Sequence, residues 1–555
     1  METIPGKKAL IELLQNEGAK FVFGIPGATE VLFMDALEQS EKIDYILGLN
    51  EIVCAGMAEG YARASGKPGV LNLHTGPGVA GAMPLLYNAY SGQVPLVITA
   101  GQQDTRLLQR DPHLSGDIVG MGKLYTKWCT EIGHAEDIPV TIQRAFKTAL
   151  QPPAGPVLVS LPQNVLSQEF DFNYKPNTRV FQELRPAKAA LEEALLLLKN
   201  SRTPVIFVES GVTQCNALNE VVRFAELIGA KVYQPWMSDV NFPVTHPQYL
   251  GDLDATTSAA KEVLAASDLL IGIGCPMFGQ AFYNSDAPSL DHLKIIQFDE
   301  DPWQIGKNIP VDCGIQANIK AALTEINAMA EATLSTEDRK AVAARIDTIS
   351  AQKKQQTEGL KKQIDAEKDR QPIAVSRLMA ELKSVVTKET VVVDDCWSSS
   401  AMLRGILDLT KPATFFRARN GGSIGSGLPM ALGVQLALAD KKVIAVSGDG
   451  SAAWSMQTLW TAAKYNIPVT FVITNNATYR QVKLTRKVVL GDYPLNEKHD
   501  GMELDNPIMD FCMLAESMGV KGFKVTTPEQ LASTLKEAVD MKVATLVEVV
   551  VENAP

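Results

Sequence analysis

Two polar motifs follow neighbouring apolar runs in the last third of the chain, and their residue types suit a charged ligand. Gly-Asp-Gly-Ser at 448–451 comes after the apolar run 443–446, and Asn-Asn at 475–476 comes after the run 469–473. The runs predict buried parallel strands, and the apolar spacing of 453–465 predicts the helix that joins them. Both motifs are therefore expected at the carboxyl edge of one sheet, where open α/β sheets bind ligands.

The atoms that these motifs offer indicate a hard cation. Asp449 provides a carboxylate oxygen, Asn476 an amide oxygen, and the turn that includes Thr478 provides main-chain carbonyls. Mg²⁺ and Ca²⁺ prefer such ligands and leave coordination positions open for phosphate oxygens. Gly448 and Gly450 permit the backbone to approach a ligand closely, and Ser451 begins a helix whose amino terminus would face an anion. The pair predicts a diphosphate held through a metal, although either motif alone is typical of an ordinary turn.

A family resemblance rests on the same residues. The two motifs together resemble the signature of thiamine-diphosphate-dependent enzymes, and the run GDGSAAWSMQTLWTAAKYNIPVTFVITNNATY most resembles benzoylformate decarboxylases. The resemblance implies that Mg²⁺ or Ca²⁺ is bound by Asp449, Asn476 and the carbonyl of Thr478. It also implies that Ser451 and Tyr479 lie near the diphosphate.

The elements that must position these residues form three blocks. Helix-like and strand-like segments alternate in residues 1–182 (the first block), 187–345 (the central block) and 371–555 (the third block). Such alternation predicts an α/β protein with three doubly wound parallel-sheet domains. The resemblance makes them the pyrimidine-binding, central and diphosphate-binding domains. Residues 337–370, which are rich in charge, predict a solvated helical linker.

Short apolar runs predict the individual strands. They lie at 21–23, 43–49, 69–73, 96–99 and 157–160 in the first block, at 205–208, 231–233, 269–272 and 295–298 in the central block, and at 390–393, 443–446, 469–473 and 544–551 in the third block.

Composition excludes several classes of partner. The 555 residues carry a net charge of −11, which disfavours nucleic acid and anionic membranes. The seven cysteines show no CxxC pair, and the sequence has neither a signal peptide nor an apolar run that could span a bilayer. We therefore expect a cytoplasmic enzyme that acts on small molecules.

Glu51 is the candidate for activating the cofactor. A carboxylate bonded to the aminopyrimidine ring nitrogen promotes loss of the weakly acidic thiazolium proton. Glu51 stands where the strand at 43–49 gives way to a helix, and the run NEIVCAGMAEGYARASGKP resembles the glutamate segment of the family. The alternative is a helix-start acid that interacts with the helix dipole. Because Glu51 and Asp449 lie in different blocks, the resemblance implies a site between subunits of a homodimer or homotetramer.

A glycine-rich loop at 420–427 supplies further expected cofactor contacts. Its spacing alone is more typical of a tight helix entry than of a phosphate loop. By resemblance, the carbonyl of Gly422 meets the pyrimidine amino group, and the large apolar side chain of Ile424 supports the bent cofactor. Ser398, after the strand at 390–393, is expected to contact the diphosphate.

His74 is the second catalytic candidate. It follows the buried strand at 69–73 and is expected at the same kind of edge, although a lone histidine is more often a packing or capping residue. Benzoylformate decarboxylases have a histidine in the matching segment, and by that resemblance His74 transfers protons during decarboxylation.

The sequence departs from the decarboxylases at two places. Ala28 stands where they have a serine, and the segment 274–281 lacks their second histidine. These losses argue against benzoylformate as the substrate, because each removes a polar group near the reacting atoms. The expected substrate pocket comprises Ile25, Ala28, Phe278 and Ala281, with residues 485–505 as a mobile lid.

Three functions remain open, and the first, which the resemblance favours, is non-oxidative decarboxylation of a 2-keto acid to an aldehyde, with carboligation as a side or main activity. Residues 23–28 and 422–425 resemble acetolactate-synthase-like carboligases, but 477–483 lacks their tryptophan-bearing lid sequence. A cofactor-binding protein without turnover is a third possibility, against which the presence of Glu51 argues. Asp299 could bind a ribose hydroxyl, but no GxGxxG loop precedes it, so FAD is not expected.

Overall fold

The described part of the chain contains three six-stranded parallel sheets, one in each block. The computed structural model describes residues 2–173, 175, 180, 183–235, 238–253, 257–279, 289–418, 421–491, 494–495 and 497–553. The predicted boundary at 172–186 lies partly outside these residues. None of the described helices is both long and apolar enough to cross a membrane.

The first block contains a sheet with strand order β3-β2-β4-β5-β7-β6 and a separate antiparallel pair, β1 and β8. Its strands are β1 Glu2–Pro5, β2 Phe21–Gly24, β3 Asp44–Leu47, β4 Gly69–Leu73, β5 Leu96–Gln102, β6 Trp128–Glu131, β7 Val157–Pro162 and β8 Glu169–Phe172. Its helices are α1 Gly6–Asn16, α2 Val31–Glu38, α3 Glu51–Ser65, α4 Thr75–Ser91, α5 Ile118–Gly122, α6 Ile138–Leu150 and α7 Gln163–Ser167.

The central block repeats this architecture with the order β11-β10-β9-β12-β13-β14. Its strands are β9 Pro204–Val208, β10 Lys231–Gln234, β11 Tyr249–Asp252, β12 Leu269–Ile273, β13 Lys294–Asp299 and β14 Cys313–Gln316. Its helices are α8 Lys188–Asn200, α9 Gly211–Gln214, α10 Leu218–Ile228, α11 Ser258–Ala265 and α12 Ile319–Thr333. The predicted linker is the helix α13, Thr336–Glu367, which begins with a capping box at Ser335 and fully buries only Ile349.

The third block has the order β16-β15-β17-β18-β20-β19. Its strands are β15 Thr390–Asp395, β16 Phe415–Arg417, β17 Lys442–Gly448, β18 Val469–Asn475, β19 Lys521–Val525 and β20 Thr545–Val550. Its helices are α14 Val375–Val385, α15 Ser400–Ile406, α16 Gly427–Ala437, α17 Asp449–Ala452, α18 Thr458–Lys464, α19 Arg480–Leu490, α20 Phe511–Ser517 and α21 Pro528–Asp540. The fold class expected from the sequence, α/β with three parallel sheets flanked by helices, is confirmed.

The crossover between β17 and β18 differs from the continuous helix predicted at 453–465. The chain forms the short helix α17, then a run of turns through residues 453–457, and only then α18. In the turns, Trp454 and Ser455 donate backbone hydrogen bonds to the carbonyls of Ser451 and Ala452. These bonds span three residues rather than four, so the apolar spacing persists while the helix is interrupted.

The first and third blocks share one hydrophobic core, in which α3 crosses α16 closely. A methyl group at Gly60 would lie 2.1 Å from the carbonyl oxygen of Met430, so only glycine admits this approach. The buried residues Val53, Met57, Leu428 and Leu432 belong to the shared cluster. The two sheets are therefore held in a fixed relative orientation by apolar packing.

An ion-pair network connects the central block to the other two. Both oxygens of the Asp239 carboxylate accept hydrogen bonds from Arg63 of α3 at 2.8 Å, and one of them accepts the backbone N–H of Arg417 at 2.7 Å. Arg417 also pairs with Asp394 at 2.5 Å, where both side chains are fully buried. Removing one partner would leave a buried charge uncompensated, so this network favours a single arrangement of the three blocks.

Candidate active site

A cavity of about 410 Å³ opens at the carboxyl edge of the third sheet. Four segments line it: residues 395–399 after β15, Ile424 in the glycine-rich loop, residues 448–451 with Trp454 after β17, and residues 474–482 (except 475 and 477) at and after the end of β18. Its volume falls in the range of small-molecule sites. Gly448 and Thr474 are direct neighbours in the β17–β18 ladder, which explains why the two motifs meet.

Asp449 is a buried carboxylate at the floor of this cavity. Its Oδ1 accepts the N–H of Gly450 at 2.7 Å, and its Oδ2 accepts the N–H of Asn476 at 3.2 Å. Burial raises the pKa of Asp449 to about 6 despite these hydrogen bonds. A cation beside the carboxylate would counter this effect by stabilising its charged form.

The loop after β18 brings the other predicted metal ligands to Asp449. Asn476 accepts the N–H of Thr478 through Oδ1 at 3.1 Å, and Ala477 between them has a left-handed backbone with φ of 54°. The carbonyl of Thr478 accepts the N–H of Arg480 at 2.9 Å. One carboxylate, one amide oxygen and one carbonyl fit a hard divalent metal that also binds phosphate oxygens.

Most of the other predicted cofactor contacts line the same cavity. They are Ser398, Ile424, Gly448, Gly450, Ser451 and Tyr479. Gly422 does not line it, but it lies two residues before Ile424 and has a φ of 91°, which only glycine adopts readily.

Several lining residues had no predicted role. Asp395 is fully buried and accepts the N–H of Gly427 at 3.1 Å, so it fixes the start of α16 beneath the cavity. Trp397 and Trp454 also line the cavity. The sequence signal for Asp395 and Trp397 is their position directly after the buried run 390–393, next to Ser398.

The predicted lid, residues 485–505, is not one continuous loop. Residues 485–490 belong to α19, and residues 502–504 are bonded to the metal-binding loop. Tyr479 donates its N–H to the carbonyl of Met502 at 2.7 Å, and Leu504 donates to the carbonyl of Ala477 at 2.8 Å. The buried Lys483 also pairs with Glu503 at 2.6 Å. This part of the segment is therefore fastened to the loop that carries Asn476 and Thr478.

Glu51 and His74 lie at the carboxyl edge of the first sheet. Glu51 is the first residue of α3, whose N-cap is Asn50, and it faces Gly81 of α4. His74 follows β4 and immediately precedes α4. In the described part of the chain, no residue before Asp395 lines the 410 Å³ cavity, so the structure does not bring this pair to the cavity of its own chain.

Contacts at one end of the interface between the blocks explain this separation. The N–H of Leu47, the last residue of β3, bonds to Tyr465 Oη at 3.0 Å, and its carbonyl accepts Thr461 Oγ1 at 3.0 Å. Tyr465 and Thr461 precede β18, so the carboxyl edge of the first sheet meets the amino edge of the third. The seven residues of β18 put Asn476 roughly 20 Å farther on.

Contacts at the other end of the interface between the first and third blocks support the same separation. Asn88 exchanges two 3.0 Å hydrogen bonds with the backbone of Ser423, the neighbour of Ile424. Asn88 lies near the end of α4, about 20 Å along the helix from His74. Within one chain, the two catalytic candidates and the cavity therefore lie at opposite ends of the domain pair.

The expected substrate-pocket residues are spread over two blocks. Ile25 and Ala28 follow β2 near His74, and Ala28 lines an open cavity of about 630 Å³ with Arg106. Phe278 packs against Phe207 of the central block, with ring centroids 6.3 Å apart. Ala281 lies outside the described residues.

The carboxyl edge of the central sheet bears on the open question of a nucleotide. The described residues there line a cavity of about 140 Å³ that includes Glu209 and Asp299. Burial raises the pKa of both carboxyl groups to about 7. Gly211 and Gly274 also touch, since a methyl group on either would lie 2.6 Å from the Cα of the other. Two carboxyl groups and a close contact between two glycines therefore lie at the edge of the central sheet.

Comparisons with known proteins cover all three blocks. Residues 4–121, 191–326 and 398–549 match the N-terminal TPP binding, central and C-terminal TPP binding domains of thiamine pyrophosphate enzymes, thiamine pyrophosphate (TPP) being thiamine diphosphate. The chain is 31% identical to a probable acetolactate synthase large subunit of Methanocaldococcus jannaschii, over 99% of this chain and 92% of that one. It is 30% identical to a benzoylformate decarboxylase of Pseudomonas aeruginosa, over 98% of both.

Comparison with solved structures gives the same result as comparison with sequences. A thiamine diphosphate-dependent 4-hydroxybenzoylformate decarboxylase of Rhodococcus jostii superposes with a TM-score of 0.84 at 28% identity, over 99% of both chains. Benzoylformate decarboxylase of Polynucleobacter necessarius gives 0.86 at 25% identity, over 99% of both. The buried carboxylate of Asp449, the facing amide of Asn476 and the match of all three blocks have one explanation: the chain belongs to the thiamine-diphosphate-dependent enzymes.

Proposed function

We propose that the protein catalyses the non-oxidative decarboxylation of a 2-keto acid to an aldehyde, with thiamine diphosphate and Mg²⁺ as cofactors. We further propose that it joins such a substrate to a second carbonyl compound, the reaction called carboligation. The observation that carries the proposal is the 410 Å³ cavity in which Asp449, Asn476 and Thr478 present oxygen ligands at one sheet edge. Ca²⁺ is the alternative metal, because it prefers the same ligand atoms.

The residues of this chain bind the cofactors and position the substrate. Asp449, Asn476 and the Thr478 carbonyl would hold the metal, and Ile424 would pack against the cofactor. The thiazolium, when bound, serves as the electron sink for decarboxylation. Glu51 would form the hydrogen bond to the aminopyrimidine, and His74 would move a proton to or from the substrate. The protein thus contributes orientation and proton management.

The proposed assembly is a homodimer or homotetramer in which each site is shared by two chains. The support is the separation of roughly 20 Å, within one chain, between the cavity and the edge that bears Glu51. A second copy in a two-fold arrangement can bring its own Glu51 and His74 to the cavity, because an isologous interface exchanges equivalent surfaces. The cytoplasmic location stays a prediction.

The substrate is proposed to be a 2-keto acid other than benzoylformate. Ala28 has no hydroxyl, so the hydroxyl that contacts His74 is that of the buried Thr29, 3.1 Å from Nδ1. The described part of segment 274–281 contains no histidine. Acetolactate-synthase-like carboligation is the second candidate, because a synthase and a decarboxylase resemble this chain with nearly equal identity. A cofactor-binding protein without turnover is the third.

A reconstitution experiment separates these candidates. Apoprotein is loaded with thiamine diphosphate and Mg²⁺, and a panel of 2-keto acids is assayed for CO₂ release with and without an acceptor aldehyde or keto acid. Aldehyde formation without an acceptor supports the decarboxylase, and product formation only with an acceptor supports the carboligase. Cofactor binding with no turnover of any panel member would leave the third candidate.

Asp449→Ala is expected to weaken cofactor binding by at least ~100-fold, since even indirect metal contacts are worth 10- to 100-fold. The reason is the loss of the only charged ligand at this metal site. Thiamine diphosphate affinity is measured by calorimetry in the presence of Mg²⁺, and again after chelation of the metal. Asp408→Ala, which removes an exposed carboxylate of the same block, is the control. Unchanged affinity in Asp449→Ala would remove Asp449 from the metal site.

A further inference from the structure

A buried glutamate, Glu30, contacts His74 and has no role in the proposed function. The Nδ1 atom of His74 lies 2.7 Å from Oε2 of Glu30, a residue that is only 2% exposed. Glu30 also accepts the N–H of Gly27 at 2.9 Å and the hydroxyl of Thr29 at 2.8 Å. Thr29 Oγ1 also lies 3.1 Å from Nδ1 of His74. Because a carboxylate accepts hydrogen bonds and the Thr29 hydroxyl already donates to Glu30, Nδ1 is assigned as the donor to both, which leaves the lone pair on Nε2.

Two glycines, one in a loop and one in a strand, leave room for the side chains of His74 and Glu30. A methyl group at Gly27 would lie 2.1 Å from Nδ1 of His74, and one at Gly101 would lie 1.9 Å from Oε1 of Glu30. Gly27 follows β2 and Gly101 belongs to β5, so two separate segments accommodate the same contact. The contact is therefore part of how this sheet edge is built.

The backbone next to His74 is strained. Thr75 has a φ of 48° in the left-handed region, although it is β-branched, and it is fully buried. Its hydroxyl has no hydrogen-bond partner among the residues that the structure describes. Such strain concentrates at functional sites, where the surrounding structure holds it in place. At Thr75 the strained turn begins α4 directly after the histidine.

We propose that Glu30 is the positioning residue of His74: its carboxylate accepts the Nδ1 proton and keeps Nε2 as the basic nitrogen that serves the substrate. The proposal rests on the proposed role of His74 in proton transfer. It follows from the 2.7 Å contact, the burial of Glu30 and the glycines that admit both side chains. A carboxylate bonded to one ring nitrogen fixes the tautomer and the orientation of the imidazole, as it does for metal-binding histidines.

Chemical modification of the apoprotein tests the pair without any cofactor. Diethyl pyrocarbonate reacts with an unprotonated ring nitrogen, and peptide mass spectrometry follows each histidine separately. In Glu30→Gln, the modification rate of His74 is expected to fall several-fold. The internal references, which should keep their rates, are His113, His134, His246, His292 and His499. An unchanged rate at His74 would overturn the proposal.

Steady-state kinetics distinguish a residue that positions His74 from one that only stabilises the local structure. Glu30→Gln is expected to lower kcat by roughly 10- to 100-fold, with little change in cofactor affinity, and Glu30→Asp to recover part of the loss. In a His74→Ala background, Glu30→Gln should cause no further decrease in kcat, whereas a structural tie would add its own loss. Glu30→Asp also serves as the test protein if Glu30→Gln does not fold.

The two failures can be told apart. If His74 reactivity depends on Glu30 but no keto acid is turned over, the pairing of Glu30 and His74 stands and the proposed function fails. If turnover is found while His74 reactivity ignores Glu30, the proposed function stands and the positioning role fails.

Discussion

Replacing Glu51 with glutamine is expected to lower kcat by about 10²- to 10⁴-fold, while metal and cofactor affinity stay near wild type. The range is that of a lost general acid–base group, because the amide cannot exchange a proton with the aminopyrimidine. Asp449, Asn476 and Thr478 are untouched, so binding should persist. Steady-state rates with a 2-keto acid from the panel measure the loss, and calorimetry with thiamine diphosphate measures the affinity.

The alternative role of Glu51, as an acid that stabilises the start of α3, predicts a different outcome. The N-cap of α3 is Asn50, whose Oδ1 accepts the N–H of Val53 at 2.9 Å, so capping does not require Glu51. The remaining interaction with the helix dipole is worth about 0.3–1 kcal/mol of stability. Glu337→Gln, at the exposed first turn of α13, measures that effect alone. Near-normal turnover in Glu51→Gln would assign Glu51 to the helix start.

The sequence predicts the central strands of each sheet and misses strands at the edges. The strands of the three large sheets that the apolar runs did not indicate are β6, β11, β14, β16 and β19, and each lies at one end of its sheet. A central strand of a parallel sheet is buried on both faces and reads as a continuous apolar run. An edge strand such as Cys313–Gln316 alternates buried and exposed residues, and so gives only a weak signal.

The cofactor half of the site is predictable because both motifs end buried strands. Once the runs before Asp449 and Asn476 are recognised as neighbouring parallel strands, their carboxyl ends must meet at one edge. No local sequence pattern indicates how the first sheet is oriented against the third. It depends on side chains far apart in sequence, such as Asn88 with Ser423, whose hydrogen bonds a local pattern does not encode. For the same reason Glu30 escaped notice, since its partner His74 lies 44 residues away.

The second large effect is a recovery of activity when two inactive variants are combined. Glu51→Gln and Asp449→Ala are each expected to be nearly inactive as pure proteins. If the site takes Glu51 from one chain and Asp449 from the other, a mixed dimer has one site with both lesions and one with neither. Random pairing makes about half of the dimers mixed, so co-expression should give about one quarter of wild-type activity.

The expected recovery follows from the antiparallel packing of the two sheets within one chain, which keeps the edge bearing Glu51 roughly 20 Å from Asn476. Co-expression of Glu51→Gln with His74→Ala is the matched control, because both lesions lie in the first block and every site of a mixed dimer then carries one of them. That pair should stay inactive. Suppose instead that Glu51→Gln and Asp449→Ala, purified as a mixed assembly through two different tags, were no more active than either parent. Both residues would then serve the same chain's site, and the shared-site assembly would be wrong.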